Sequence, residues 1–367
     1  MLYVILGETC SGKSSTALKV CKENSLPLIS ADAFGVYQGF DIGSAKSTPK
    51  ELEGIENYFI DSIPWGQAMT VFEFQTNGRQ IINSFKDRNV DGVIVGGTFL
   101  YTKALLFPYY FPKEENTGPV IKEYPPLNEM LKTIKELDPE SLNLIDTKNP
   151  RRVERAYDLA KSGNKREDIE SMYSNLPLYP CVFIRLKVDK DQLRSKIKER
   201  VLIQVKDGLF EEEERLEKAN PEFSSTFRGI GFKEIYQGKR EGWTKEKIIN
   251  QVIIDTVQYA RRQRTFLRHQ FPYMVEVDKS DIPSLIKTDI EIRNGMESLE
   301  VPLINSTSNL MNSIESIYSK GIRQCGIYGD YDENKIHSLY PLLQIVGVTD
   351  LNSKGKKDIK FSSKMDF

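Results

Sequence analysis

Residues 2–14 read Leu-Tyr-Val-Ile-Leu-Gly-Glu-Thr-Cys-Ser-Gly-Lys-Ser. Leu2 to Leu6 is short, apolar and partly β-branched, which predicts a buried strand. Gly7-Glu8-Thr9-Cys10-Ser11-Gly12-Lys13-Ser14 fits the pattern G-x-x-x-x-G-K-[ST]. A helical pattern follows, with Ala17, Leu18 and Cys21 on one face. Strand, glycine loop and helix form the context in which that motif binds phosphate. Gly7 and Gly12 reach backbone angles that other residues avoid, so successive N–H groups can converge on one concavity. The helix N-terminus adds a partial positive charge, Lys13 adds a full one, and the Ser14 hydroxyl can hold Mg²⁺. All of Gly7 to Ser14 are therefore candidates for cradling a di- or triphosphate. At average residue usage, about one chain in a hundred of this length would match by chance, and the correct flanks lower that further.

The 367 residues leave room for two or three domains. A net charge of −1 excludes a polycation, although a local basic face suffices to hold nucleic acid. No apolar run of ~18 residues offers a membrane span, and Met1 leads straight into the first strand, so neither membrane nor signal peptide is expected. The four cysteines, Cys10, Cys21, Cys181 and Cys325, are scattered without a C-x-x-C. That argues against a zinc ribbon or disulfide framework and for the reducing cytoplasm. The two histidines, His269 and His337, cannot supply a His-rich metal site. The chemistry falls to carboxylates, hydroxyls, arginine and Mg²⁺.

Pro27 to Asp32 reads as a second strand ending in a carboxylate, placed where strand ends face the ligand crevice of a doubly wound sheet. A helix N-cap or turn aspartate is the plainer alternative for Asp32. Val36 to Lys46 is aromatic and glycine-punctuated, the composition of an exposed binding loop. Asp91 to Thr98 is a third strand whose exit, Gly96-Gly97-Thr98, lets backbone approach a ligand and offers a hydroxyl. Helical patterns at Leu127–Leu137, Asp138–Leu144 and Asn149–Ser162 follow a Pro- and Gly-rich boundary. The last carries Arg151, Arg152 and Arg155, either a solvated face or a phosphate-backbone contact. Pro180 to Leu186 returns to a strand that should complete the sheet. The acidic run Glu211–Glu214 reads as a solvated face. A long helix over Trp243–Gln270 is strongly basic from Arg261 to Arg268, more than a helix C-terminus needs, which favours nucleic-acid phosphate.

In order along residues 1 to about 275, these segments resemble the tRNA dimethylallyltransferase family, the isopentenyl transferases. The matching stretches are Gly7–Ser14, Ile29–Asp32 with Val36-Tyr37, Asp41–Lys46, Gly96–Thr98 with Leu100-Tyr101, Arg152 with Arg155-Ala156, Arg228 with Gly231–Glu234, and Arg262-Gln263 with Thr265. The resemblance implies transfer of a dimethylallyl group from dimethylallyl diphosphate to N6 of an adenine beside the tRNA anticodon, with Mg²⁺ as cofactor. It implies Asp32 as base, Thr98 near the bridging oxygen and Arg228 as a pyrophosphate clamp. It assigns the anticodon stem-loop to Asp32, Ala33, Phe34, Gly35, Thr98, Lys122, Arg151, Arg152, Arg155, Arg228, Lys233, Arg262 and Gln263. The implied fold is α/β, a P-loop NTPase-like parallel sheet flanked by helices, with a small helical insertion and a C-terminal α/β extension. The expected division is 1–107 and 178–275 for the two parts of the core, 108–177 for the insertion and 276–367 for an extension of unassigned role. A cytoplasmic monomer is expected.

The chain departs from the family pattern at several places. Ala33, Phe34 and Gly35 stand where the family has Ser, a variable residue and Gln, so the contact expected of that Gln to the target base has no owner. Asn57 and Tyr58 replace a His-His pair, Val257 an arginine and Phe266 a tryptophan, and Lys122 only weakly matches an arginine. Two other readings stay open: a small-molecule kinase using ATP, and a catalytically silent RNA-binding paralogue. A kinase would want a second carboxylate at a strand end, which Gly96-Gly97-Thr98 does not supply.

Overall fold

Strand β1 (Leu2–Leu6) is buried along its whole length, as a central parallel strand with both faces covered must be. It lies between β4 (Gly92–Val95) and β5 (Cys181–Leu186), in a parallel sheet of six strands ordered β3-β2-β4-β1-β5-β6. Strands β2 (Leu28–Ser30) and β3 (Asn57–Tyr58) extend one edge, and β6 (Val275–Val277) the other. The computed structural model describes residues 1–109, 111, 124–163, 177–271, 274–294, 303–305, 310–319, 324–328 and 344–347.

The sheet does not end at β5, as the sequence led us to expect. β6 pairs with it across the 275 boundary, and helix Ile282–Asn294 buries Ile282 and Ile286 in the same apolar cluster as Ala17, Leu18 and Cys21 of helix Lys13–Asn24. The core therefore continues into the segment assigned to the extension. Its signal is weak because Val275-Glu276-Val277 is too short to show a period.

On the other face, helices Val71–Asp87 and Phe99–Leu106 bury Phe74, Phe85 and Leu105 against the sheet. A reciprocal capping box at Thr70 and Glu73 starts the first of these. Helices Leu127–Leu137 and Pro150–Lys161 form a separate small core from Met130, Ile134, Val153 and Ala156, which is the expected insertion. The helical pattern of Asp191 to Leu216 predicts one helix, but it is broken at Gly208, whose φ of 107° no ordinary helix residue adopts, giving Lys190–Lys206 and Leu209–Ala219. Beyond the core, strands Leu303–Asn305, Gln324–Tyr328 and Gln344–Gly347 form a second parallel sheet, with helix Leu310–Ser319 between the first two. This agrees with an α/β extension. The pattern of Glu333 to Tyr340 predicts a further helix before Pro341; that segment and the Lys-rich stretch from Ser353 lie outside the described residues.

Candidate active site

The C-terminal ends of β1, β4 and β2 are neighbours, so three loops meet there. After β1, Cys10 (φ 60°) and Gly12 (φ 91°) both take the left-handed backbone and curl the chain into helix Lys13–Asn24. Ser11 N–H donates to the Glu8 carbonyl at 3.2 Å, closing the turn. Ser11 Oγ is buried with no hydrogen-bond partner among the described residues, and a Cβ on Gly7 would lie 2.7 Å from it. After β4, a Cβ on Gly97 would lie 2.8 Å from Gln263 Nε2, so glycine leaves room for that amide beside the loop.

After β2, Asp32 Oδ1 accepts from Phe34 N–H at 2.9 Å and Gly35 N–H at 3.2 Å. This local turn holds the carboxylate without burying it. Asp32, Lys13, Ser14 and Thr9 line one cleft of about 270 Å³, and an adjoining recess shares Lys13, Ser14 and Asp32 and adds Gly35, Lys46 and Gly96. The larger cleft carries Lys13, Arg200, Arg228, Lys233 and Arg262, and Asp32 is its one carboxylate among the described residues. Burial lowers the Lys13 ammonium below its usual range. Asp32 opposes that shift and the Arg200 charge adds to it. A di-anion bound between these cations would relieve both effects.

Thr98 does not line that cleft. Its hydroxyl accepts from Ala33 N–H at 3.0 Å, and the Tyr259 hydroxyl donates to the neighbouring Gly97 O at 2.9 Å. Thr98 fixes the backbone beside Asp32. Arg228 is exposed on the cleft wall, with Nη1 donating to Ser225 O at 2.9 Å. Phe34 lines the cleft and meets the Phe227 ring edge-on at 5.4 Å.

Several expectations need correction. Gln263 is buried rather than presented to RNA. Its Oε1 accepts from Thr9 N–H at 2.8 Å and its Nε2 donates to Gly97 O at 2.8 Å, so it ties the phosphate loop to the β4 exit. Lys233 pairs with Glu234 and Asp255, each at 3.1 Å. The basic helix is only partly a solvent face: Arg261, Arg262 and Arg268 are exposed, but Arg264 Nε donates to the buried Glu8 at 2.9 Å. Arg185 donates to the same Glu8 oxygen at 3.2 Å. Burial pushes the Glu8 carboxyl up, but the Arg264 hydrogen bond and the two arginine charges take it net below its ordinary value. Glu211–Glu214 is not a uniformly solvated face either. Glu212 is buried and accepts from the N–H groups of Asp41, Ile42 and Gly43, each at 2.8 Å, and Glu213 is buried against Lys239. The loop read as exposed, Val36 to Lys46, is accordingly anchored, with Val36, Tyr37 and Phe40 in the core. Its Gly43, Ser44 and Ala45 form a wall of the cleft.

In the insertion, Arg152 is exposed and Arg155 stacks over Phe111 at 5.8 Å. Arg151 lies in the same helix, and Lys122 lies outside the described residues. The sequence reading missed Arg200, Tyr259 and Glu212. For Arg200 a signal existed: Leu193, Ile197, Arg200 and Gln204 recur at helical spacing and share a face.

Beside the cleft, burial and a hydrogen bond shared with Asp255 push the Glu234 carboxyl up from 4.5 to about 7. Its contribution to stability is full below the unfolded value and is lost as pH rises through the folded one. Glu234→Gln should therefore flatten the fall in urea midpoint from about pH 5 to about pH 8. Equal slopes in the two proteins would contradict this.

Fold and site together define a P-loop α/β protein whose glycine loop and Asp32 line one cleft. The sequence model of the IPP transferase family matches residues 35–270; the phosphate loop and Asp32 precede that span. The tRNA dimethylallyltransferase of Leuconostoc citreum is 31% identical over 292 residues, covering 79% of this chain and 98% of that one. The enzyme of the same name from Clostridioides difficile is 31% identical over 79% of this chain and 96% of that one. The crystal structure of tRNA delta(2)-isopentenylpyrophosphate transferase from Staphylococcus epidermidis aligns with a TM-score of 0.58 at 28% identity, over 79% of this chain and 98% of that one. A eukaryotic dimethylallyltransferase captured acting on tRNA shares the fold, with a TM-score of 0.64 at 21% identity over 80% of this chain and 78% of that one. The chain belongs to the IPP transferase family.

Proposed function

We propose that the protein transfers a dimethylallyl group from dimethylallyl diphosphate to N6 of the adenine at position 37 of tRNA, beside the anticodon, and releases diphosphate. One observation carries this reading: the phosphate loop and Asp32 open into the same cleft, whose other charged residues among those described are all cations. The bond between the allylic carbon and the diphosphate oxygen breaks, and a bond from N6 to that carbon forms. The proton that N6 loses passes to Asp32. Lys13 and the loop N–H groups receive the negative charge that builds on the departing diphosphate. The acceptor amine lies in a stacked anticodon loop, so the base must swing out to reach the cleft. Exposed Arg152, Arg261, Arg262 and Arg268 would hold stem-loop phosphates, which gives affinity without sequence readout. We assign the work to a monomer in the cytoplasm.

Mg²⁺ fits the donors present. Ser14 offers a hydroxyl beside Lys13 and Asp32, and this ion keeps several waters while taking its remaining ligands from substrate phosphates. When bound, it supplies positive charge to the leaving diphosphate. Ser14→Ala should raise the Mg²⁺ concentration for half-maximal transfer by about threefold or more while tRNA affinity holds. An unchanged Mg²⁺ titration would remove Ser14 as a ligand.

The deciding experiment incubates the protein with tRNA and labelled dimethylallyl diphosphate, and separately with ATP and small acceptors. Label on position 37 is the expected result. Phosphoryl transfer instead would make the protein a kinase, and RNA binding with neither reaction would make it a silent paralogue.

A further inference from the structure

Arg200 belongs neither to the phosphate loop nor to the basic stretch Arg261–Arg268. Helix Lys190–Lys206 packs Leu193 and Ile197 against Ala260 of the long helix, with Cys10 of the phosphate loop on the same cluster. Arg200 is one turn further along that face, and Gln204, one turn on again, donates to the Gly43 carbonyl at 3.3 Å. The helix thus bridges the phosphate loop and the opposite wall, and Arg200 faces the cleft between them. Its Nε is buried with no hydrogen-bond partner, and it makes no ion pair among the described residues. A buried guanidinium N–H left unpaired, on the same cleft as Lys13, is costly unless an anion completes it. Arg200 also contributes to holding the Lys13 ammonium below its usual range, a repulsion that a shared anion would reverse.

We propose that Arg200 is a direct ligand of the substrate's diphosphate, donating to it from the wall opposite the Lys13 ammonium. This rests on the diphosphate-dependent transfer proposed above. A guanidinium suits the task because its fork matches two phosphate oxygens at once. A backbone phosphate of the RNA is the weaker candidate, since the chain has solvent-exposed arginines for that role and Arg200 is half-buried inside the cleft.

The test titrates inorganic pyrophosphate with Mg²⁺ into the full chain by calorimetry, and tRNA by fluorescence. Arg200→Ala should weaken pyrophosphate about tenfold or more and leave tRNA within about twofold. Arg200→Lys should recover part of the loss, and KM for dimethylallyl diphosphate should rise in step while KM for tRNA holds. If the alanine variant does not fold, Arg200→Gln carries the same expectation. Unchanged pyrophosphate affinity in a folded variant overturns the assignment, as does a loss confined to tRNA or a wild type that ignores pyrophosphate. Wild-type transfer, run alongside, is read separately. Protein that binds pyrophosphate through Arg200 but labels no tRNA would overturn the transferase reading alone.

Discussion

Asp32→Asn should cut dimethylallyl transfer about 10³-fold while tRNA and pyrophosphate affinities stay within a few-fold. Asparagine is the informative substitution because Asp32 has two jobs. Its Oδ1 accepts from Phe34 and Gly35 N–H, and an amide oxygen can do the same. What asparagine cannot do is take the proton from N6. The turn, and with it the cleft wall, should survive, so the loss would report chemistry rather than folding. Asp32→Ala removes both functions and should also cost about 1–2 kcal/mol of stability. No other carboxylate lines the larger cleft among the described residues, so no neighbour can substitute as base. Single-turnover transfer at saturating tRNA is the measurement. Activity within about tenfold of wild type in the asparagine variant would end the case for Asp32 as base.

Gly96→Ala should destabilise the protein by about 3 kcal/mol or more. A Cβ at that position would sit 2.1 Å from the Ala31 carbonyl oxygen and 2.4 Å from its carbon. These are backbone atoms of the stretch leading to Asp32, so no side chain can swing aside. Ala31 is also fixed on both sides: its N–H donates to Val95 O at 2.7 Å and its carbonyl accepts from Thr98 N–H at 3.1 Å. Relief therefore requires β2 and β4 to part at their exits, which would carry Asp32 away from the phosphate loop. Activity and stability should fall together. Gly35→Ala is the control, since its nearest atoms would be at an ordinary 3.6 Å, and it should change stability by less than about 1 kcal/mol. Chemical denaturation of the two variants makes the comparison; equal midpoints would mean that the strand exits yield more easily than their hydrogen bonds imply.

Much of the core was legible because its signals are local. β1, the phosphate loop and the helix after it occupy consecutive residues, and β5 opens on the apolar run Cys181–Ile184. The helical insertion announced itself by period. The sheet's far edge did not, because β6 is three residues long and borrows its stability from β5. The roles of Glu212 and Arg264 were misread for a related reason. A charge on a helix looks solvated until the chain brings a partner across it, and here the partners are three N–H groups 169 to 171 residues away and a carboxylate 256 residues away.

By itself the sequence determined the shape of the N-terminal loop, because a nest of that kind is built from neighbouring backbone amides and needs only glycine, lysine and a helix start. Whether Asp32 faces that nest was beyond its reach. The answer depends on β2 and β1 flanking β4, on Gly96 letting backbone pass against backbone, and on Gln263 binding both loops. Only the folded sheet sets those distances, and only a helix laid across the cleft reveals that Arg200 belongs to it.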